Sequence, residues 1–568
     1  MSTADSHRFG GVIQAIADAW AIPGGIVVAT DRTGVVFEQA FGFADLEGQV
    51  AATKDHLFEI GSISKIMTAT VVLQLVQRGL LSLDQAASTI LEELPAALSS
   101  PTITVERLLR HSAGLVSGVD AMPDQWAQVG AFRGVISNAE PGEFFHYSNL
   151  GYILLGLMVE RVSGRRLVDL VGERILDPIG ATDSIARVTF ADRRRLARGY
   201  QPLHEDLAWV PGDALVAAPF LEVDGADGSV ATTGRDLAAF ARMLLNRGSA
   251  DNGDPVLEPS SFEAMTALLA VGGEDLLGLR GLPVSEGSRY GLGINLEQCG
   301  GSPILTHGGG MIGYASFLLV DPAAGFAVVA LTNANGDGPV AEAIARSVAA
   351  ILAGSNDAQS GSLSPELWRA AGTVGRSGDN VRPRILTEAM LGTFAATVGT
   401  LEVRSITDRD GLVRAEIEFD GHTAPLQWDW GPRALTRLPG LKPYPLEFLS
   451  DSWCWGEQVF RPITDTLTAV LHTEAATELH PFCGHFRSYS PWFTNFRTVV
   501  RGSQLMLIAA PGVEAPSEDV VLVPLGHGVF RMGADPRLPE RLAFGPPING
   551  ASQWADRDGC RYSRSFTP

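Results

Sequence analysis

At 568 residues, with 45% hydrophobic and 19% charged side chains, the chain has a globular composition and is too long for one ordinary domain, so two or three are expected. Its 43 basic and 64 acidic residues leave a net charge of −21, which argues against a nucleic-acid partner or an anionic membrane surface. No apolar run reaches membrane-spanning length, and Met1–Gly11 lacks a basic segment followed by an apolar core, so a soluble cytoplasmic protein is the expectation.

His7–Trp20 has the spacing of an amphipathic helix that ends before Pro23. Two strand-like runs, Gly25–Thr30 and Gly34–Phe43, follow across an Asp31-Arg32-Thr33-Gly34 turn. From Ser62 to Arg78 the chain is rich in Ile, Met, Ala, Val and Leu, without Pro or Gly, and Gly79 supplies a stop signal. This predicts a buried helix with Ser62 at its N-terminus. Val105–Arg110, Gly151–Val162 and Leu167–Ile175 are further helical runs, and Thr233-Gly234-Arg235-Asp236 fits a capping box that opens another. Tyr290–Leu296, Ile304–His307, Ala315–Val320 and Phe326–Leu331 read as strands, and Val340–Leu352 as a helix. Residues 1–355 are therefore expected to form one α/β layered domain whose sheet draws on both ends of the segment.

Residues 356–383, which begin in a Gly-, Ser-, Asn- and Asp-rich stretch, read as a linker. Residues 384–568 alternate short β-type runs with turns, as in Leu401–Ile406, Val413–Phe419, Phe496–Val500, Leu505–Ile508 and Val520–Pro524. An antiparallel barrel or sandwich is predicted. Leu391-Gly392-Thr393-Phe394 and Cys483-Gly484-His485-Phe486 suggest two related units. The four cysteines, Cys299, Cys454, Cys483 and Cys560, lie far apart and read as free thiols, a disulfide among the last three being the alternative.

Ser62 and Lys65, three apart, share one helical face, and the helix start offers unpaired N–H groups to developing negative charge. That is the constellation of an activated serine. Composition sharpens it: of 43 basic residues only Lys54, Lys65 and Lys442 are lysines. Arg cannot give up its proton, whereas a desolvated Lys can and then serves as a base. Two later stretches join this pair, Tyr147-Ser148-Asn149 and His307-Gly308-Gly309-Gly310, so that S-x-x-K, Y-x-N and H-x-G follow in order.

That order resembles the S-x-x-K, S-D-N and K-T-G set of the serine β-lactamase and penicillin-binding-protein superfamily, in its class C and esterase-like branch. His111-Ser112-Ala113-Gly114-Leu115 resembles a loop of the same branch. The resemblance implies an antiparallel sheet with flanking helices and a helical subdomain. It implies a serine hydrolase, without cofactor or metal, that works through an acyl-enzyme on small-molecule or peptide substrates. Ser62 would be the nucleophile, and Lys65 and Tyr147 would share the general-base work. Asn149 would orient Lys65 and the substrate amide, and it could also cap the helix that follows. The N–H groups of Ser62 and Gly310 would form an oxyanion hole beside Gly309, and His307 would contact substrate. His111 and His146 read as structural. The C-terminal region resembles the lipocalin-like barrels of D-aminopeptidase-type relatives, which border the active site, and substrate gating is expected of it.

His307 stands where the family set has Lys, so a fixed positive charge for a substrate carboxylate is missing. This favours esters, amides or peptides, D-amino-acid-containing ones included, over a true β-lactamase or carboxypeptidase. A carboxylesterase and a weak β-lactamase are the enzyme alternatives, and an acylated protein without turnover is the alternative of another class. An α/β-hydrolase would need a G-x-S-x-G elbow and a zinc hydrolase an H-E-x-x-H helix, and neither motif is present. Self-association stays open.

Overall fold

The computed structural model describes residues 3–118, 124–132, 134–267, 271–274, 285–299, 302–334, 339–354, 388–407, 413–428, 433–463, 477–509, 513, 516 and 518–564. Eight strands make one sheet: β1 (Gly24–Asp31), β2 (Val35–Asp45), β3 (Val50–Ala51), β4 (Ser288–Tyr290), β5 (Asn295–Cys299), β6 (Ser302–Met311), β7 (Tyr314–Asp321) and β8 (Phe326–Thr332). Their order is β3-β2-β1-β8-β7-β6-β5-β4, so the two ends of the segment meet where β1 pairs antiparallel with β8.

Side chains alternate across this sheet with the period of two that a pleated strand imposes. Ile26 and Val28 of β1 join one core while Val27 and Ala29 join another. Helices α1 (Thr3–Ala19) and α5 (Pro339–Leu352) close the second core, with Ile13, Ile16, Ile344 and Val348 against the sheet. The larger core lies on the opposite face, under α2 (Ser64–Gln77), α3 (Asn149–Ser163) and α4 (Gly234–Leu245). Both faces are therefore covered, which is why β1 and β8 read as nearly unbroken apolar runs.

Local differences from the expected elements have identifiable causes. The run Tyr290–Leu296 is a hairpin rather than one strand, because Gly293 at φ +92° breaks it and Tyr290 pairs back to Asn295. Ser62 lies in a single 3₁₀ turn, Gly61–Ile63, and α2 begins at Ser64. The box at Thr233 is half made. Thr233 Oγ1 accepts from Asp236 N (3.2 Å), but the Asp236 carboxylate is spent on Asp183 N (3.0 Å) and Ser184 N (2.9 Å).

Beyond α5 the chain forms two closed antiparallel barrels of eight strands each, and the sandwich alternative falls away. One runs from Gly392–Ala396 to Gln458–Pro462, the other from Gly484–Arg487 to Cys560–Arg564. The faint repeat marks their opening strands, and Phe394 and Phe486 hold the same place in each, both fully buried. Eight strands leave a bore that side chains can fill. Leu401, Ile417, Trp453 and Phe460 fill the first; Phe496, Phe530, Leu542 and Tyr562 fill the second. Cys454, Cys483 and Cys560 are free thiols. The expected linker, 356–383, lies outside the described residues. Among the described residues no helix is long and apolar enough to cross a membrane.

The barrels are joined through buried charge. Asp519 of the second barrel, its side chain 2% exposed, accepts from Arg433 of the first (3.2 Å) and from Arg501 of its own (2.7 Å). Arg433 also donates to the Ala509 carbonyl and Arg501 to the Gly456 carbonyl, so each guanidinium crosses between barrels. Removing one member of such a group strands the others without water. Asp519→Ala is expected to destabilise the barrel pair by about 3–5 kcal/mol, read as a fall in the urea midpoint of the full chain; an unchanged midpoint would show that these arginines do not depend on it.

Candidate active site

The turn that carries Ser62 is pressed onto the edge of β6 by glycines. Gly61 takes φ +49°, and a Cβ there would crowd the Gly310 backbone, while one at Gly309 would overlap the Ile60 carbonyl and the Ser316 hydroxyl. Ser316 Oγ then ties the two parts together by donating to Ile60 O (2.8 Å). β5 pairs with β6 only from Ser302 to Thr306, so His307–Met311 run beside the site with no strand on that side among the described residues.

Lys65 is fully buried. Its Nζ donates to Ser62 Oγ (2.9 Å) and to the Asp227 carbonyl (2.9 Å), with the ring centroids of Tyr147 and Tyr152 at 5.0 and 5.6 Å. The Tyr147 phenol is turned toward Ser62, and its oxygen makes no hydrogen bond of good geometry to a described residue. Ser62, Lys65 and Tyr147 therefore meet at one point.

Tyr147 is held by the backbone around it. His111 Nδ1 accepts from Ser148 N (3.0 Å), and the Ser117 carbonyl accepts from Asn149 N (2.6 Å). The His111 ring stacks on Tyr147 at 4.2 Å. The cap of α3 is Ser148, whose Oγ accepts from Gly151 N (3.0 Å), not Asn149, which is buried one position into the helix.

Residues 12–353 match the family described as Beta-lactamase. The chain belongs to that family. Penicillin-binding protein 4 of Amycolatopsis lactamdurans is 30% identical over 322 residues, 54% of this chain and 80% of that protein. A solved structure, the octameric penicillin-binding protein homologue from Pyrococcus abyssi, is 22% identical, covers 81% of this chain and all of that one, and superposes with a TM-score of 0.56. The D-amino acid amidase from Ochrobactrum anthropi SV3 is 26% identical over 61% of this chain and 99% of that one, with a TM-score of 0.49. This beta-lactamase-family chain is thus a serine hydrolase with an α/β catalytic fold and appended barrels.

His307, expected to contact substrate, lies beside the site, its ring centroid 6.4 Å from that of Tyr147, with the ring turned inward. Its ring is fully buried, with Nδ1–H donating to the Gly308 carbonyl (2.6 Å) and Nε2 accepting from the Tyr290 hydroxyl (2.7 Å). Burial, reinforced by nearby Lys65, brings its pKa down to about 3, so the ring is neutral. It positions Tyr290 rather than facing solvent. Two carboxylates also bear on the site. Glu274 lies 3.9 Å from His307 Nε2, and burial followed by the charge of Glu274, with a smaller push from Asp227, raises Tyr147 well above the ordinary phenol range.

Sequence reasoning missed the aromatic floor under Tyr147, formed by His111 and Tyr290 with ring centroids 4.7 Å apart. His111 stands at φ +53° in a loop, and Tyr290 is 17 residues from His307, so no local period links them. It also passed over Asp227 and Glu274, which lie in loops without a pattern.

The neutral His307 has a stability consequence. Unfolded, it takes up a proton below the ordinary value of 6.5, and folded only below about 3. The unfolded state therefore binds more protons in that window, and stability falls as pH drops from 6.5 toward 3. The slope is up to about 1.4 kcal/mol per pH unit for one such group. Urea midpoints measured every half unit are expected to fall less steeply in His307→Asn than in the parent chain; identical slopes would refute the assignment.

Proposed function

We propose that the chain hydrolyses amide or ester bonds of small substrates through an acyl-enzyme on Ser62. The observation that carries this reading is the 2.9 Å contact between Nζ of the fully buried Lys65 and Oγ of the half-buried Ser62. Because burial and Glu274 keep the Tyr147 phenol protonated, the first base is the Lys65 amine, to which the Ser62 hydroxyl donates once that amine is neutral. Ser62 Oγ bonds to the carbonyl carbon as its proton moves to Lys65. The N–H groups of Ser62 and Gly310 hold the oxyanion, each such donor being worth about 3 kcal/mol. Gly309 fixes their approach, and Asn149 holds the substrate amide.

Tyr147 then gives its proton to the leaving nitrogen or oxygen as the old bond breaks, and takes a replacement from Lys65. Water reverses these transfers: its oxygen bonds to the acyl carbon as its proton goes to the same pair, and the bond from Ser62 Oγ to that carbon then breaks as Ser62 recovers its hydrogen.

Substrate preference follows from charge. A neutral His307 offers no cation for a substrate carboxylate, while the Glu274 carboxylate 3.9 Å away adds negative charge beside it. Uncharged acyl groups and amino-acid amides or peptides with a free ammonium suit it best, D-configured ones among them. The relative named penicillin-binding protein 4 supports testing a β-lactam as well.

The test is hydrolysis of a p-nitrophenyl ester, D- and L-aminoacyl amides and a chromogenic β-lactam by the parent chain and by Ser62→Ala. Loss of about a thousandfold or more is expected in the variant, and the preferred member of the panel fixes the substrate class. Equal rates in both proteins would remove Ser62 as nucleophile. A stoichiometric burst without turnover would favour the acylated, non-hydrolysing alternative.

A further inference from the structure

The turn Asp535–Glu540 of the second barrel lies against the segment that carries Tyr147. One carboxylate oxygen of Glu540 accepts both from His146 Nε2 (2.6 Å) and from the Ser117 backbone N–H (3.1 Å). These two partners are the strategic ones. Ser117 belongs to the loop whose carbonyl holds Asn149 N, and His146 immediately precedes Tyr147. A stack extends the contact, with the Arg537 guanidinium 4.5 Å over Phe144 and Phe144 parallel to His146 at 5.6 Å. Trp492 of the same barrel packs against the catalytic core.

We propose that Glu540 is a positioning residue for the reaction: by pinning His146 and Ser117 together, the second barrel sets where the Tyr147 hydroxyl stands relative to Ser62. This rests on the reading of Tyr147 as the acid–base group. Burial opposes the Glu540 charge, but His146 and the Ser117 amide outweigh it and keep the carboxyl below its ordinary range, so the acceptor is a carboxylate. The barrel acts here on the geometry of proton transfer rather than on access to the site.

The experiment measures p-nitrophenyl acetate turnover by the full chain and by Glu540→Ala, Glu540→Gln, His146→Ala, the double alanine variant and Tyr147→Phe. Glu540→Ala is expected to lose about 10- to 100-fold in kcat with KM within about twofold, the scale of a misplacement on the order of 1 Å. Glu540→Gln, whose amide oxygen accepts the same two hydrogen bonds, should recover most of that loss. His146→Ala should match Glu540→Ala, and the double variant should lose little more, because both break one contact. His146→Ala also reads that contact if Glu540→Ala does not fold. Parent-like turnover in Glu540→Ala beside an inactive Tyr147→Phe overturns the proposal, as do equal losses in the alanine and glutamine variants, or losses that add in the double variant. Parent-like turnover in Tyr147→Phe instead places the fault in the reading of Tyr147.

Discussion

Everything about the catalytic half turns on keeping one amine dry. An isolated ammonium has no place in an apolar core, where desolvation costs several kcal/mol unless partners replace water. Lys65 is fully buried and is met by Ser62 Oγ, the Asp227 carbonyl and two aromatic faces. Those partners come from three parts of the chain, so the fold must bring three segments to within a few ångströms of one nitrogen. Glycine makes this feasible. Where Gly61 meets Gly310 and Gly309 meets Ile60, any side chain would wedge the Ser62 turn off the sheet edge.

The features legible in the sequence were those that repeat locally. The apolar run of α2 announced a buried helix, and Lys65 within it stood out because the chain otherwise uses arginine almost throughout. The opening strands of both barrels showed in Gly392-Thr393-Phe394 and Gly484-His485-Phe486, since each needs a glycine and an inward phenylalanine at the same offset. Side-chain direction was harder to see. His307 looked like a substrate contact from its place before three glycines, yet it shares strand parity with Leu305 and Met311, both in the large core. Parity alone turns its ring inward. The hairpin at Gly293 was similarly hidden by the apolar residues that flank it.

What no local pattern could show is how the barrels meet the catalytic half. The contacts are long-range and mostly ionic. Arg437 and Lys442 of the first barrel lie near Asp213, and Arg497 of the second approaches Asp206. Most of these cations are arginines, whose planar fork donates to several carbonyls and carboxylates at once. The bias that made Lys65 conspicuous thus has a structural reason of its own: the protein joins its parts mostly with guanidinium groups, with Lys442 beside them at Asp213.

Where the barrels dock also matters. The first holds the loop containing Asp206–Asp213, with Ala208, Val210 and Leu435 in a small shared cluster. The second holds Ser117, Phe144 and His146. Neither set belongs to the eight-stranded sheet, whose two covered faces already fix its strands. Both belong to loops, where backbone hydrogen bonds are few and the chain has most freedom to shift. Ser62 and Lys65 ride on the turn and helix packed against the sheet, whereas Tyr147 rides on one of the loops. A reaction that passes protons among all three needs the loop held as firmly as the sheet, and the second barrel supplies that hold through a carboxylate at the residue next to Tyr147.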